Sequence, residues 1–196
     1  MHPAGCKRSI QETLAFIKMK TLIETERLLL RKITLDDKEE MFQLHSNSDV
    51  QKYTGEPLVE SIEEMEQAIQ TRINDYEKYG YGRWATFLKN GMQFVGWAGL
   101  AYLPEFDEID LGYRFLPKYW GMGFATEVSH AILTYGFDQL ELGRIIAIAM
   151  KENKASIRVM EKIGMEFDKF APYEPGSKDA VWYWCDKKLI TKNKTY

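Results

Sequence analysis

The sequence predicts an α/β fold: a mixed, mostly antiparallel sheet of about seven strands with four helices. Asn90-Gly91 lies between two stretches of alternating apolar residues, which is a strong hairpin signal. Residues 117–123 contain two glycines and join a strand-like run to a helix-like run. The apolar run 144–150, which follows this helix, is typical of a parallel strand beneath a crossover helix. The sheet is therefore expected to begin antiparallel and to include one parallel pair.

Composition favours one soluble globular domain. The chain has 196 residues, 45% of them hydrophobic and 28% charged, which is enough to bury a core. A net charge of −3 argues against nucleic acid as the main partner. Cys6 and Cys185 are far apart, so a reduced, cytoplasmic compartment is expected. His2, His45 and His130 form no cluster with metal-ligand spacing, and we expect no metal.

The ends of the chain are expected to lie outside the domain. No apolar run reaches the ~18 residues of a membrane-spanning helix, so no membrane partner is expected. Residues 1–18 lack the long apolar core and cleavage site of a signal peptide. We predict a mobile N-terminal extension over residues 1–18, a domain over residues 19–190 and a C-terminal tail over residues 191–196.

The first half of the domain is predicted to alternate strands and capped helices. Residues 22–32 are predicted as the first strand, with Leu28 and Leu30 on one face and Leu29 on the other. Thr34, followed by two aspartates, is typical of a cap before a short helix, and residues 47–57 are predicted as a loop. Ser61 begins a capping-box pattern for a second helix that ends near Gly80.

The second half is predicted to complete the sheet. Residues 82–89 and 93–102 form the Asn-Gly hairpin, in which Gly96 and Gly99 indicate a bulge or close packing. The crossover helix is predicted over residues 124–140. Another helix begins after Asn153 and is capped by Gly164. Residues 165–173 and 179–188 are predicted as a closing hairpin.

The glycine turn is a candidate anion site. Pro117 ends the preceding strand, and Gly121 and Gly123 permit left-handed backbone. No Ser, Asp or Asn stands just before Phe124, so the first helical amides are open to a ligand such as phosphate. A turn that needs glycines only for its geometry is the alternative on these residues alone.

Two phosphate-binding motifs fit poorly. The Lys-Ser/Thr pair of a P-loop is absent. The dinucleotide fingerprint matches at two of its three small positions, with Thr126 at the third. Its ribose-binding acid would be Glu141, which precedes a strand instead of following one. The hairpins also disfavour a doubly wound sheet, so a dinucleotide-dependent oxidoreductase is the weakest reading.

Three motifs carry a family resemblance. The pattern Gly-Tyr-x-x-x-Pro-x-x-x-Gly-x-Gly-x-Ala-Thr-Glu at residues 112–127 resembles the acetyl-CoA loop of the GNAT N-acetyltransferase superfamily. Its usual glutamine or arginine is Lys118 here. Residues 153–156 and 159–165 are similar to the RimJ/RimL-type branch, which acetylates ribosomal-protein N-termini. The opening run 24–31 is the third match, so the resemblance spans roughly residues 22–188.

The resemblance implies an acetyl-CoA-dependent N-acetyltransferase whose sheet is splayed at the acetyl-CoA site. The acceptor would be a primary amine, either a protein or peptide N-terminus, a polyamine or another small amine, which attacks directly in a ternary complex. The protein would act as a monomer or homodimer. A non-catalytic acyl-CoA-binding or sensor module is the alternative.

The resemblance also implies roles for individual residues. Asp110 would be the base, directly or through water. Met160 occupies the position where many relatives have a tyrosine acid, which leaves Ser156 as a candidate acid. Aromatic residues that could line the acceptor cleft are Tyr53, Tyr76, Tyr79, Tyr81 and Trp84. The cofactor would contact Tyr113, Phe115, Leu116, Lys118, Trp120, Gly121, Met122, Gly123, Phe124, Ala125, Thr126, Asn153 and Ser156.

Overall fold

The computed structural model describes residues 21–173 and 179–193. Its strands are β1 (Thr21–Glu24), β2 (Leu28–Lys32), β3 (Arg83–Leu88), β4 (Phe94–Leu103), β5 (Glu108–Phe115), β6 (Ile145–Met150), β7 (Glu166–Pro172) and β8 (Asp179–Cys185). Its α-helices are α1 (Lys38–His45), α2 (Ser48–Gln51), α3 (Ile62–Tyr79), α4 (Phe124–Asp138), α5 (Lys154–Lys162) and α6 (Lys187–Asn193). The predicted α/β class is confirmed, and the predicted extension over residues 1–18 lies outside the described residues.

The described strands form one sheet in the order β1-β2-β3-β4-β5-β6-β8-β7. Every neighbouring pair is antiparallel except β5 and β6, which are parallel as predicted. In the described chain, β5 and β6 share a single register pair, Asp110 opposite Ile146. The sheet therefore opens on the carboxyl side of Asp110, which is the splay that the resemblance implied.

The described sheet has eight strands because the predicted first strand, residues 22–32, is two strands. Thr25 closes a tight turn between them: its N–H donates to the Leu28 carbonyl at 3.0 Å. Its side-chain oxygen accepts the Leu28 N–H at 2.9 Å. The alternating pattern continues through this turn, so the pattern alone did not reveal the reversal.

Six α-helices replace the predicted four in the described chain, because two short ones were missed. Asn47 begins α2 inside the predicted loop, and its side chain accepts from the N–H groups of Asp49 and Val50. Helix α6 follows β8 directly and spans the boundary that we predicted at residue 190. The predicted caps of α3 are confirmed, because the Ser61 side chain accepts the Glu64 N–H and Gly80 adopts φ 79°.

Helices cover both faces of the sheet. The α1 and α3 side packs Met41, Leu44 and Ile69 against Leu29. On the other side, Leu28 and Leu30 share a core with side chains of α4 and α5, such as Val128, Ile132 and Met160. The predicted assignment of Leu28, Leu29 and Leu30 to opposite faces is therefore confirmed. Among the described helices, none is long and apolar enough to cross a membrane.

The predicted close packing at Gly96 and Gly99 is confirmed. A Cβ on Gly96 would lie 2.0 Å from the Arg114 carbonyl oxygen, and one on Gly99 would lie 2.2 Å from the Gly82 carbonyl oxygen. The β3–β4 register also shifts beside Gly96, where Val95 is an extra residue in β4. Both glycines thus let the central strands approach.

Gly96→Ala should destabilise the fold, because a backbone oxygen cannot move aside as a flexible side chain can. We expect the free energy of unfolding to fall by about 1–3 kcal/mol or more, measured by urea titration. The matched control is Gly143→Ala, whose added Cβ meets nothing within 4 Å. It should change stability by less than about 0.5 kcal/mol. Equal losses in both variants would contradict the packing argument.

Candidate active site

A cleft of about 1250 Å³ begins at the gap between β5 and β6 and reaches α2 and α3. Asp110 lines it, as do most of the predicted cofactor residues. Those in the wall are Tyr113, Phe115, Trp120, Gly121, Gly123, Phe124, Ala125, Thr126, Asn153 and Ser156. Leu116, Lys118 and Met122 are not part of the wall that lines this cleft.

The glycine turn gives one end of the cleft the geometry expected for an anion site. Gly121 and Gly123 adopt φ 76° and 80°. Helix α4 begins immediately afterwards, and in the described residues no side chain caps its first amides. These N–H groups carry the partial positive charge of a helix start, so this end of the cleft favours negative charge.

The predicted residues that lie outside the cleft wall shape the turn itself. The Leu116 N–H donates to the carbonyl of the bulged Val95 at 2.9 Å. The Lys118 ammonium lies 4.9 Å from the centroid of the Tyr119 ring. Trp120 has a related role, since its Nε1 donates to the Phe115 carbonyl at 2.7 Å.

An ion pair between Arg27 and Glu127 joins the opening motif to the glycine turn. Arg27 Nε donates to Glu127 Oε2 at 2.6 Å, and the Thr25 hydroxyl donates to Oε1 at 2.6 Å. Arg27 also donates to the Met122 carbonyl at 2.9 Å. Burial alone would raise the pKa of Glu127, but the hydrogen bonds from Thr25 and Arg27 lower it. The turn is thus held from the far edge of the sheet.

Asp110 forms an ion pair with Arg83 of β3 across the middle of the sheet. Arg83 also donates to the Gly99 carbonyl at 2.6 Å. A Cβ on Gly112 would lie 2.8 Å from this guanidinium, so the glycine leaves it the room it needs. Within the described chain, Asp110 Oδ1 has no hydrogen-bond partner, and the carboxylate keeps one oxygen for a ligand or water.

Two hydroxyl groups meet on the other side of β5. The Tyr113 hydroxyl donates to Ser156 Oγ at 3.2 Å. Burial raises the pKa of Tyr113, although the Ser156 contact partly offsets it. The Asn153 side chain accepts the Ser156 N–H at 3.1 Å, which confirms the predicted cap of α5. Met160 is buried in the core.

Three guanidinium groups surround Trp97 at the opposite end of the cleft. Those of Arg72, Arg83 and Arg114 lie 5.5, 5.2 and 5.2 Å from the ring centroid. Arg114 binds both carboxylate oxygens of Glu56, at 2.7 and 2.6 Å. We did not predict this cluster from the sequence, because its members come from β3, β4, β5 and α3.

His45 lies beneath the cluster and is neutral. Trp97 Nε1 donates to His45 Nε2 at 3.1 Å, and an indole can only donate. Burial, followed by the charges of Arg72 and Arg114, lowers the pKa of His45 to about 3. The imidazole beneath this cluster of cations is therefore neutral.

The predicted aromatic lining is correct in part. Tyr53, Tyr79 and Tyr81 line the cleft. Tyr76 and Trp84 lie in the core instead. The Tyr76 hydroxyl accepts the Ile33 N–H at 3.0 Å, so this side chain ties α3 to the sheet.

The comparisons with known proteins identify the family. Residues 27–166 match the family model described as the acetyltransferase (GNAT) domain. The chain belongs to the GNAT acetyltransferase family. The predictions of a GNAT fold and of an N-acetyltransferase are thereby confirmed, and the RimJ/RimL-type branch is consistent with these matches.

Relatives of this family member include enzymes with named substrates. It is 36% identical to the uncharacterised N-acetyltransferase YoaA of Bacillus subtilis, covering 76% of this chain and 84% of that protein. It is 30% identical to an FsC-acetyl coenzyme A-N(2)-transacetylase of Aspergillus fumigatus, and the match covers 92% of this chain and 86% of that protein. Its fold matches the structure of spermidine N-acetyltransferase from Vibrio cholerae in complex with CoA and spermine, with a TM-score of 0.70. The two sequences are 20% identical, and the match covers 84% of this chain and 98% of that one.

The buried His45 should make stability depend on pH. Because its pKa is about 3 in the folded protein and ordinarily 6.5, the unfolded chain binds a proton that the folded chain does not between these values. The contribution of His45 to the free energy of unfolding is therefore complete above pH 6.5 and is lost as the pH falls toward 3. At pH 5 the free energy of unfolding is about 2 kcal/mol lower than at neutral pH because of this group.

His45→Gln should flatten the fall in unfolding free energy between pH 7 and 5, measured by urea titration at each pH. The exposed His130 on α4 supplies the control, and His130→Gln should retain the wild-type slope. If His45→Gln also retained that slope, the low pKa of His45 would be wrong.

Proposed function

We propose that this GNAT family member transfers the acetyl group of acetyl-CoA to a primary amine, which attacks directly in a ternary complex. The observation that carries the proposal is the uncapped start of α4 beside the gap between β5 and β6. That gap leads directly to the Asp110 carboxylate. The named activity of the Aspergillus relative and the CoA bound to the Vibrio structure support the same co-substrate.

The residues of the glycine turn fit the anionic part of acetyl-CoA. The amides that follow Gly121 and Gly123 would hold its pyrophosphate, since they point out of the helix start and lack protein partners among the described residues. Beyond Asp110, β5 has no register pair with β6 in the described chain, so its backbone groups there can bind the pantetheine. Tyr113, Asn153 and Ser156 would line that arm.

Acetyl-CoA supplies an activated thioester, so the protein has few chemical tasks. Asp110 would take the proton of the attacking amine, directly or through water, and Arg83 would fix the orientation of its carboxylate. Tyr113 and Ser156 would return a proton to the departing sulfur, because Met160 has no proton to donate. The acceptor would enter past the aromatic side chains of Tyr53, Tyr79 and Tyr81.

A non-catalytic acyl-CoA-binding or sensor module is the second candidate. It needs the glycine turn but not an accessible Asp110. Calorimetric titration with acetyl-CoA, followed by an assay of CoA release on a panel of amines, separates the two readings. Tight binding with release on one class of amine supports the transferase, whereas tight binding without release on any amine supports the module.

Gly123→Val should abolish acetyl-CoA binding. Valine is strained at φ 80°, and its side chain would approach the Arg27 guanidinium, which lies 3.5 Å from an added Cβ. We expect the dissociation constant to rise by at least about tenfold, measured by calorimetry. Gly143→Val, in open space, is the control. Unchanged affinity in a folded Gly123→Val protein would remove the glycine turn as the pyrophosphate site.

Asp110→Asn should lower turnover far more than acetyl-CoA affinity. Asparagine keeps the shape but cannot take a proton, so kcat should fall by about 10²–10⁴-fold. The defect should be greatest at low pH, because more of the acceptor amine is deprotonated at high pH. The checks are the pH profile of kcat and the calorimetric dissociation constant. An unaltered rate and profile would exclude Asp110 as the base.

A further inference from the structure

Among the described residues, Arg72 is a cation with no ion-pair or hydrogen-bond partner at the acceptor end of the cleft. It projects from α3, lines the cleft and is partly buried. Its Nε is buried, and within the described residues it has no hydrogen-bond partner. Its neighbours differ, because Arg83 is paired with Asp110 and Arg114 with Glu56. Around Trp97, three guanidinium groups therefore meet two carboxylates.

The cleft itself does not supply the missing anion. Asp75, one turn along α3, and Asp49 of α2 also line the cleft. Across the described chain, neither forms an ion pair with Arg72. Glu56 is already held by both nitrogens of Arg114. A negative group that pairs with Arg72 would therefore have to enter from outside.

The electrostatics of the cluster favour such a group. Burial, together with the charges of Arg114 and then Arg83, lowers the pKa of Arg72 from 12.5 to about 10. A buried charge is costly unless it is paired and hydrogen-bonded. An oxyanion would supply both, because a guanidinium matches the two oxygens of a carboxylate or phosphate.

We propose that Arg72 binds an oxyanion, carboxylate or phosphate, on a small amine acceptor. This inference rests on the proposed function and specifies its substrate class: an amine that carries its own negative group. Arg72 and Arg83 contact the same indole, and Arg83 holds Asp110, so the acceptor would span from its anion on Arg72 to its amine near Asp110. The site would select against polyamines, which bring only positive charge to a cluster that already has an excess.

The test is a set of matched acceptors assayed for CoA release. Leucine and phenylalanine would be compared with leucinamide and phenylalaninamide, and phosphoethanolamine with ethanolamine; spermidine is the polyamine. We expect kcat/KM to be at least about tenfold higher for the anionic member of a pair. The two kinds of pair distinguish carboxylate from phosphate. Equal rates within every pair, or a preference for spermidine, would overturn the proposal.

Variants of Arg72 show whether this side chain is responsible. Arg72→Met should remove the preference by raising KM for the anionic acceptor, with little change in rate on the neutral one. Arg72→Lys should retain part of the preference for the anionic acceptor. The control is Glu77→Gln, which removes an exposed charge from the same helix and should preserve the preference. A preference that survives in a folded Arg72→Met protein would also overturn the proposal.

Direct binding keeps the inference testable if no acceptor is turned over. N-acetylphenylalanine and its amide, which resemble the products, would be titrated by calorimetry into the CoA-saturated protein. The acid should bind at least about tenfold more tightly than the amide, and Arg72→Met should abolish the difference. Equal affinity for the acid and the amide would overturn the proposal that Arg72 binds an oxyanion. A failure of the transferase proposal would appear separately, as acetyl-CoA binding without CoA release on any amine.

Discussion

The site depends on the point at which β5 and β6 part. In the described chain these strands are paired only at Asp110 and Ile146. Strand β6 stays paired with β8 on its other side and β5 stays paired with β4, so the two halves of the sheet diverge at this point. The gap exposes backbone groups that a continuous sheet would satisfy, and an unsatisfied buried peptide group is costly. A ligand that satisfies them along the gap therefore stabilises this arrangement.

Long-range polar contacts hold the two ends of the cleft in place. Arg27 and Thr25, at the far edge of the sheet, bind Glu127 in the first turn of α4. Arg83 reaches from β3 across Gly112 to Asp110. One contact fixes the glycine turn and the other fixes the carboxylate. Both ends of the proposed reaction path would thus be positioned by side chains that need not touch the reacting atoms.

Local features of the site were predictable from the sequence, and long-range ones were not. The glycine turn, the Ser61 and Asn153 caps and the Asn-Gly hairpin depend on residues that are close in the chain, so their patterns are visible there. The Arg27–Glu127 and Arg83–Asp110 pairs join residues that are far apart in sequence. The motifs that contain Arg27 and Glu127 were both recognised, but only the fold shows that they bind each other.

The charged cluster was hidden for the same reason. Arg72, Arg83 and Arg114 each appear in the sequence as ordinary surface charges on a helix or strand. Only the sheet register brings Arg114 opposite Trp97, and only the packing of α3 adds Arg72. Burial, followed by the charges of Arg72 and Arg114, keeps the imidazole of His45 neutral.

The alternation of β5 explains how one strand could supply both the proposed acid and the proposed base. Successive side chains of a strand point to opposite faces, so Asp110 and Arg114 belong to the Trp97 face and Tyr113 to the face of α5. In a closed sheet these two groups would be separated by the backbone. Because β5 has a free edge beyond Asp110, both line the same cleft. In the proposed reaction the amine would lose its proton toward one face while the thiol gains one from the other, and Tyr113 with Ser156 would replace the donor that Met160 does not provide.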